Sequence, residues 1–542
     1  MSTFNTLFLT LTALACVSPL LTLLHLWQMK EWRWDRLLDH LKTEGIFITL
    51  VGKARYLIGA LWLLNGLLVF AFMSQSTESR DLFFSIWMLI RPVLLVILGT
   101  LQWFMKKQPM PVWTRKAELM FVVSILLTIG AGVLVMIYTS FGFDKPENII
   151  KTNTFAWITT LLPYLGSFFV VLSWLLLRPI DLFLKNRILA RAKALRASHP
   201  HLIVIGITGS VGKTTTKELI HHLLKDKGAI ATPLHVNTEM GVAGWLSSVL
   251  KDEPYDSTRI LVVEMGAYRI GEIALLCEIA QPTIGVVTFV GKQHSGLFGG
   301  EEAIAKAKGE LVAHLPKNGH AFVNADSPLI DLLLKESTVN PITIGSGTSA
   351  QIVALDIEET GKGVRFTTFD TTFDVPLAGT HNVTNILLAI ATAKHLGVGL
   401  PEIRQSLRNF TAFERTFSVR REHGITILDN SYNSSAESAE AGIDWAKRQP
   451  NKEKILVMSG IIELGNDEER VHRMIAEKAV KVFQKVYITQ ERFLTYFKPF
   501  FGERASLVSA KKQPLSSGAL LVCMGRMSGE TIERFMPEKN EL

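Results

Sequence analysis

The segment Gly206-Ile-Thr-Gly-Ser-Val-Gly-Lys-Thr-Thr-Thr216 follows the β-branched run Leu202 to Ile207 and leads into the helix-forming stretch Lys217-Glu-Leu-Ile-His-His-Leu-Leu224. A strand, a glycine loop ending in Gly-Lys-Thr and a helix together cradle phosphates. Glycines let backbone N–H groups approach an anion, and the helix N-terminus adds its dipole. In such a loop Lys213 reaches the β and γ phosphates and Thr214 can hold magnesium, so Gly209, Gly212, Lys213, Thr214 and Thr215 are expected around ATP. The common spacing would want glycine at 207, where this chain has Ile; its glycines stand at 206, 209 and 212. Such a loop identifies a nucleotide and leaves its use open.

Further residues narrow that use. Glu264 closes the apolar strand Leu261-Val-Val. Its carboxylate would emerge at the carboxyl edge of a parallel sheet, where open α/β folds bind ligands. Alone, Glu264 reads equally as a surface strand end, and His294 as a satisfied loop histidine. Lys308 sits on an expected helix, Glu301 to Leu315, that also holds Lys306, so a solvated basic face is its plain alternative. His381, Asn382 and Asn385 precede an expected apolar helix, Ile386 to Leu396, which Asn385 is suited to cap.

Taken in order, these motifs resemble those of the Mur ligases of bacterial cell-wall synthesis, most closely the branch that adds a D-alanyl-D-alanine dipeptide. Besides the loop they are Asn237-Thr-Glu-Met-Gly241, Val263-Glu-Met-Gly-Ala267, Gly291-Lys-Gln-His-Ser-Gly-Leu-Phe-Gly299 and Ala307-Lys-Gly-Glu310. They continue with Asn324-Ala-Asp326, Gly379-Thr-His-Asn-Val-Thr-Asn385, Asp429-Asn-Ser-Tyr-Asn433 and Glu463-Leu-Gly465. The resemblance implies that Glu264 and His294 serve magnesium, and that Lys308 is carbamylated by carbon dioxide into an oxygen donor for a second magnesium ion. It further implies that Asn382 contacts adenine and that Arg415 and Asp429 bring nucleotide contacts from the C-terminal domain. Two segments depart from the family pattern. A proline-containing loop appears as Asn430-Ser-Tyr-Asn-Ser-Ser-Ala436, and a Lys-Gly-Ser-Arg-like segment as Cys523-Met-Gly-Arg526; both bear on the amine acceptor rather than on ATP.

The elements that must carry these residues are set by composition. The 542 residues are 48% hydrophobic, with mean hydropathy +0.26, which places part of the chain in lipid. Five apolar stretches precede residue 180: Phe4 to Trp27, Tyr56 to Met73, Phe83 to Phe104, Glu118 to Ser140 and Thr154 to Leu177. Basic residues concentrate in alternate connections, around Lys30 to Arg55 and Lys106 to Lys116, and again after Arg178. The positive-inside rule then puts the N-terminus outside and everything after the fifth span in the cytoplasm of a multi-pass cell-membrane protein. Arg91, next to Pro92 inside the third stretch, either serves an anionic headgroup or satisfies a carbonyl freed by the proline. The formal charge of +8 is accounted for by these flanks and calls for no nucleic acid. Cys16, Cys277 and Cys523 have no metal or disulfide spacing.

The expected architecture is an N-terminal all-α transmembrane bundle (1–185), a central P-loop α/β domain (200–410) and a Rossmann-like C-terminal α/β domain (411–542). The resemblance implies an ATP- and magnesium-dependent amide ligase that activates a carboxylate as an acyl phosphate for an amino-acid or dipeptide amine. The carboxylate would belong to a cell-wall or surface precursor, either UDP-linked or lipid-linked and held by the spans. Two alternatives stay open: a poly-γ-glutamate or folate-type glutamate ligase, and a P-loop ATPase-driven membrane transporter. The transporter would need a Leu-Ser-Gly-Gly-Gln-like signature and an apolar strand ending in Asp-Glu, and neither follows Thr214.

Overall fold

The computed structural model describes residues 3–30, 108–140, 149–251, 260–291, 300–347, 349–360, 363–411, 416–431, 434–461, 464 and 467–537, with isolated residues between 32 and 104. It separates into two compact units, Met1–Leu184 and Lys185–Leu542.

In the first unit, helices α1 (Thr3–Met29) and α2 (Arg115–Ser140) pack together with residues Val170 to Leu177 of α3 (Ile149–Ala197). Cys16, Leu20, Leu24 and Trp27 of α1 meet Met120 of α2 and Val170 of α3 in one core. Polar side chains of α1 tie down the segment ahead of α2: His25 Nδ1 lies 2.7 Å from the Met110 carbonyl, and Gln28 Nε2 donates to the Val112 carbonyl at 2.8 Å. Leu119, Val122, Leu126, Ile129 and Leu134 on α2 face outward, where a water-soluble helix would carry polar groups. Among the described residues one helix, Arg115–Leu134, is long and apolar enough to cross a membrane. The second expected span falls almost wholly, and the third largely, outside the described residues, Arg91 included.

The basic stretch after the fifth expected span is helical, and α3 runs unbroken to Ala197. Its Ala, Leu, Arg and Lys residues are strong helix formers, and Leu189 and Ala192 enter the core of the second unit. Buried Arg196 ends the helix by donating to the carbonyls of His199, Ala280 and Leu202 at 2.6, 2.9 and 3.2 Å.

The second unit begins with strand β1 (Ile203–Thr208), helix α4 (Lys213–Leu224), β2 (Ala229–Ala231), α5 (Glu239–Val249) and β3 (Ile260–Glu264). It continues with α6 (Glu272–Ala280), β4 (Ile284–Val287), α7 (Glu301–Ala313), β5 (His320–Asn324), β6 (Ile342–Gly345) and β7 (Ile352–Val353). These strands form a parallel sheet in the order β2-β3-β1-β4-β5-β6-β7. Because β1 lies between β3 and β4, successive crossovers leave it on opposite sides, and the carboxyl ends of β1, β3 and β4 border the ligand crevice. Side chains alternate between the two faces. Ile205, Ile207 and Val262 pack beneath α4, whereas Val204, Leu261 and Val263 pack beneath α5, α6 and α7. An antiparallel sheet, β8 (Leu355–Thr360), β9 (Gly363–Thr368) and β10 (Thr371–Val375), then leads to α8 (Asn382–His395) and α9 (Leu400–Arg408). α8 lies beside α4 on the same face of the sheet.

The last portion is a second sheet in the order β11-β12-β16-β13-β14-β15. Its strands are β11 (Ser418–Glu422), β12 (Ile425–Asn430), β13 (Lys454–Met458), β14 (Lys485–Ile488), β15 (Ala505–Leu507) and β16 (Leu520–Met524). All pairs are parallel except the edge hairpin β11–β12. Helices α10 (Ala436–Arg448), α11 (Glu468–Ala479) and α12 (Glu491–Phe501) cover one face.

Inside this portion the fully buried His472 receives the backbone N–H of Ile461 on Nε2 at 2.9 Å, stacks on Phe493, and faces the Glu468 carbonyl through Nδ1 at 2.7 Å. Burial pulls its pKa from 6.5 down to about 4, so the ring stays neutral. The unfolded chain therefore binds a proton first. Stability from this site is complete above pH 6.5 and is lost as pH falls toward 4. Replacing His472 with Gln, which can still accept from Ile461, should flatten that acid-side decline by about 3 kcal/mol, read from denaturant unfolding between pH 7 and 4.

Candidate nucleotide and ligation site

The glycine loop after β1 is shaped by two close approaches. Gly209 has φ 148°, and a Cβ there would lie 2.0 Å from Thr288 Oγ1; Gly212 has φ 89°, and its Cβ would lie 2.4 Å from Asn385 Oδ1. Both positions demand glycine on backbone and on space. The loop is also pinned from β4's side, where Ser210 N–H and Val211 N–H both donate to the Phe289 carbonyl, at 2.8 and 3.3 Å. Lys213, the first residue of α4, donates to the carbonyls of Gly209 and Ser210 at 2.8 and 3.1 Å, closing the loop on itself. Burial lowers its pKa and Glu264 opposes that shift.

Glu264 organises the mouth of this loop. Only 5% exposed, its carboxylate accepts from Thr214 Oγ1 at 3.0 Å and from Asn237 Nδ2 at 3.1 Å. Lys217 Nζ stands 3.8 Å away, fully buried, bonded to the Thr232 carbonyl at 2.7 Å and paired with Glu218 at 3.0 Å. The Thr232 hydroxyl in turn holds the Glu264 backbone N–H at 3.1 Å. Thr215 stands in the first turn of α4. No group of three or more metal-binding side chains occurs among the described residues. The Thr214 hydroxyl and Glu264 carboxylate are nonetheless hard oxygen donors held together. That set fits magnesium, which commonly takes one or two carboxylates and completes its shell with phosphate and water.

Lys308, on α7, is brought to the same edge of the sheet: its Nζ donates to the Ala267 carbonyl, just past β3, at 3.0 Å. Burial first, and then the Lys213 cation, pull the amine from 10.5 to about 7, against the opposing influence of Glu272 and Glu310. Glu310, two residues on, accepts the N–H groups of Gly271 and Ala274 at 2.5 and 2.9 Å. It thereby caps α6, and the Ala307–Glu310 motif couples that helix to Lys308.

Asn385 does not precede a helix, as expected from sequence, but lies within α8, which starts at Asn382. Its amide donates to Asn382 Oδ1 at 3.0 Å and accepts from Thr216 Oγ1 at 3.3 Å, tying α8 to α4. Those partners, on two helices, use the side chain that a cap would have needed. Asn382 is buried and donates to the Ala378 carbonyl at 2.7 Å. Asp326, of the Asn324–Asp326 motif, steadies the same helix by accepting from Thr384 Oγ1 at 3.1 Å.

Asp429 lies in the second sheet. It is 1% exposed and takes Arg420 Nη1 at 2.7 Å and the Ser431 N–H at 3.1 Å. The structure thus brings together Gly209, Gly212, Lys213, Thr214, Glu264 and Lys308, with Asn382 at the adjoining helix start. Asp429 is held apart in its own ion pair. His294 and Arg415 lie outside the described residues. Sequence reasoning missed Lys217; the signal was its position four residues after Lys213, one turn along the same helix face.

Fold and site together define a P-loop nucleotide-binding α/β protein with a second parallel-sheet domain. Residues 207–393 match the Mur ligase middle domain. A UDP-N-acetylmuramoyl-tripeptide--D-alanyl-D-alanine ligase of Synechocystis sp. is 35% identical over 51% of this chain and 59% of its own length. One from Bacillus subtilis is 30% identical over 59% of this chain and 72% of its own. The solved structure of the Thermotoga maritima MurF ligase in complex with ADP superposes with a TM-score of 0.55, at 27% identity, covering 65% of this chain and 82% of that one. The chain belongs to the Mur ligase family. It spans 59% of the length of the Synechocystis relative.

Lys217 and Glu264 form a buried pair whose disruption leaves an uncompensated charge. Replacing Lys217 with Met should lower unfolding stability by about 3 kcal/mol. Magnesium with ATP should restore more stability to the variant than it adds to the wild type, because a divalent cation beside Glu264 replaces the lost charge. Thermal unfolding with and without Mg-ATP measures both.

Proposed function

We propose that this protein is an ATP-dependent amide ligase anchored in the cell membrane, with its catalytic unit in the cytoplasm. The observation that carries the ligase reading is the Thr214–Glu264–Asn237 cluster at the mouth of the glycine loop, with Lys213 and Lys308 beside it. Its relatives' names supply the substrates: UDP-N-acetylmuramoyl tripeptide as carboxylate donor and D-alanyl-D-alanine as amine.

Forming an amide from a carboxylate at neutral pH requires activation. Lys213 and the N–H groups of the loop hold the nucleotide phosphates while the donor carboxylate takes the γ-phosphoryl group and becomes an acyl phosphate. The amine then attacks the acyl carbon, the C–N bond forms, and phosphate leaves. Thr214, Glu264 and His294 would hold magnesium, which would supply charge neutralisation on the phosphate oxygens. Lys308 suits carbamylation, since an amine with a pKa of about 7 is substantially neutral in the cytoplasm and only the neutral amine attacks carbon dioxide. Asn382, Arg415 and Asp429 complete the nucleotide site when the C-terminal domain closes, which also excludes water from the acyl phosphate.

Membrane anchoring rests on the outward-facing apolar side chains of α2 and on the alternating basic segments. The same features favour a second reading of the donor, in which the muramoyl peptide is attached to a polyprenyl lipid instead of to UDP.

Purified full-length protein in detergent, given ATP, magnesium, D-alanyl-D-alanine and the UDP-linked muramoyl tripeptide, should release ADP and form the pentapeptide. Turnover confined to an undecaprenyl-linked donor would establish the second reading, and turnover of neither would turn the assignment toward a glutamate ligase. Lys213→Ala should abolish ADP release. Lys308→Ala should cut ligation at least about a hundredfold without rescue by bicarbonate, and wild-type rates would remove the carbamate. Protease added to sealed cells should leave the C-terminus intact; cleavage from outside would overturn the orientation.

A further inference from the structure

Helix α10 packs on the C-terminal sheet and is fastened at its far end to the small antiparallel sheet. Arg448, its last residue, pairs with Glu359 of β8, and the other Glu359 oxygen accepts the Gly379 N–H at 2.8 Å. Gly379 opens the turn into α8, so α10 is referenced to the same helix that braces the glycine loop. At its near end a capping box, Ser435 with Ser438, fixes the first turn. These two fastenings set where Glu437 stands.

Glu437 reaches across to the central domain. Its Oε1 lies 2.9 Å from where a Cβ on Gly291 would be, and Gly291 is two residues beyond Phe289, whose carbonyl receives the loop amides of Ser210 and Val211. Only glycine at 291 leaves room for this approach. The carboxylate is therefore one short segment away from the phosphate loop, on the domain that carries the Asn430–Ala436 segment. Its Oε2 is buried with no hydrogen-bond partner among the described residues. A buried carboxylate oxygen without a donor is costly, and protein interiors keep such atoms where a ligand completes them. Burial also raises the pKa of this group, with hydrogen bonds from its own backbone N–H and from the Ser435 side chain opposing the shift.

We propose that Glu437 is the anchor for the ammonium group of the incoming amine, fixing a primary amino group of an amino acid or dipeptide next to the acyl phosphate. This inference rests on the ligase reading above and adds the residue that selects the second substrate. An ammonium supplies donors that match the unpartnered oxygen, and it brings the charge that a half-sequestered carboxylate lacks. The site is assembled from both domains, so the amine is held only when the C-terminal domain sits against the loop after β4.

The test is steady-state kinetics of the full-length protein with UDP-N-acetylmuramoyl tripeptide, ATP and D-alanyl-D-alanine, comparing wild type, Glu437→Gln and Glu437→Asp. Glu437→Gln should raise KM for D-alanyl-D-alanine about ten- to hundredfold. KM for ATP and for the muramoyl peptide should stay within about twofold, because neither touches this carboxylate. Glu437→Asp should recover part of the loss, since it keeps the charge. An unchanged KM for the dipeptide in Glu437→Gln, or an equal fall in kcat with every KM intact, would overturn the proposal and mark Glu437 as a domain contact. Failure of the wild type to release ADP with either muramoyl donor would instead overturn the ligase reading itself.

Discussion

The catalytic unit is organised around one constraint: the Glu264 carboxylate is almost wholly withdrawn from water. Removing a charge from solvent costs several kcal/mol unless donors and a counter-charge replace the lost hydration. Thr214 and Lys217 of α4, with Asn237 ahead of α5, provide that replacement. Thr214 and Lys217 require α4 to start where it does; Asn237 requires the turn before α5; the backbone of Glu264 itself is held through Thr232, after β2. Satisfying one carboxylate thus fixes how three strand-to-helix connections meet at the sheet edge.

The parts of this arrangement legible in the sequence are those in which chemistry leaves little choice of residue. Glycine at 209 and 212 is dictated by backbone conformation and close contact, and a lysine and threonine after it by the phosphates, so the loop can be read without a structure. Glu264 was readable because it ends an apolar strand. Lys217 was not, since a lysine on a helix ordinarily faces water, and only the fold reveals that this one faces the sheet. Asn385 misled for the opposite reason: asparagine near a helix start is commonly a cap, but here the helix begins three residues earlier and the side chain joins α8 to α4.

Asp429 shows what a motif match leaves out. Antiparallel pairing sets Ser418 opposite Asp429, and Arg420, two residues along β11, reaches diagonally to the same carboxylate. That hairpin is the antiparallel edge of an otherwise parallel sheet, so the partner that holds Asp429 comes from the one strand whose direction the βα alternation does not foretell. The sequence order of motifs located the domain, while the local geometry depends on that added strand.

The contacts around Gly212 carry a consequence for how such a sequence can drift. The space a side chain would need there is filled by Asn385 Oδ1, and Asn385 is in turn engaged by Asn382 and Thr216. A change at 212 is therefore tolerable only after a change at 385, and a change at 385 strands two further polar groups. Positions separated by more than a hundred and fifty residues along the chain are locked into a common history: divergence must move through them together or not at all.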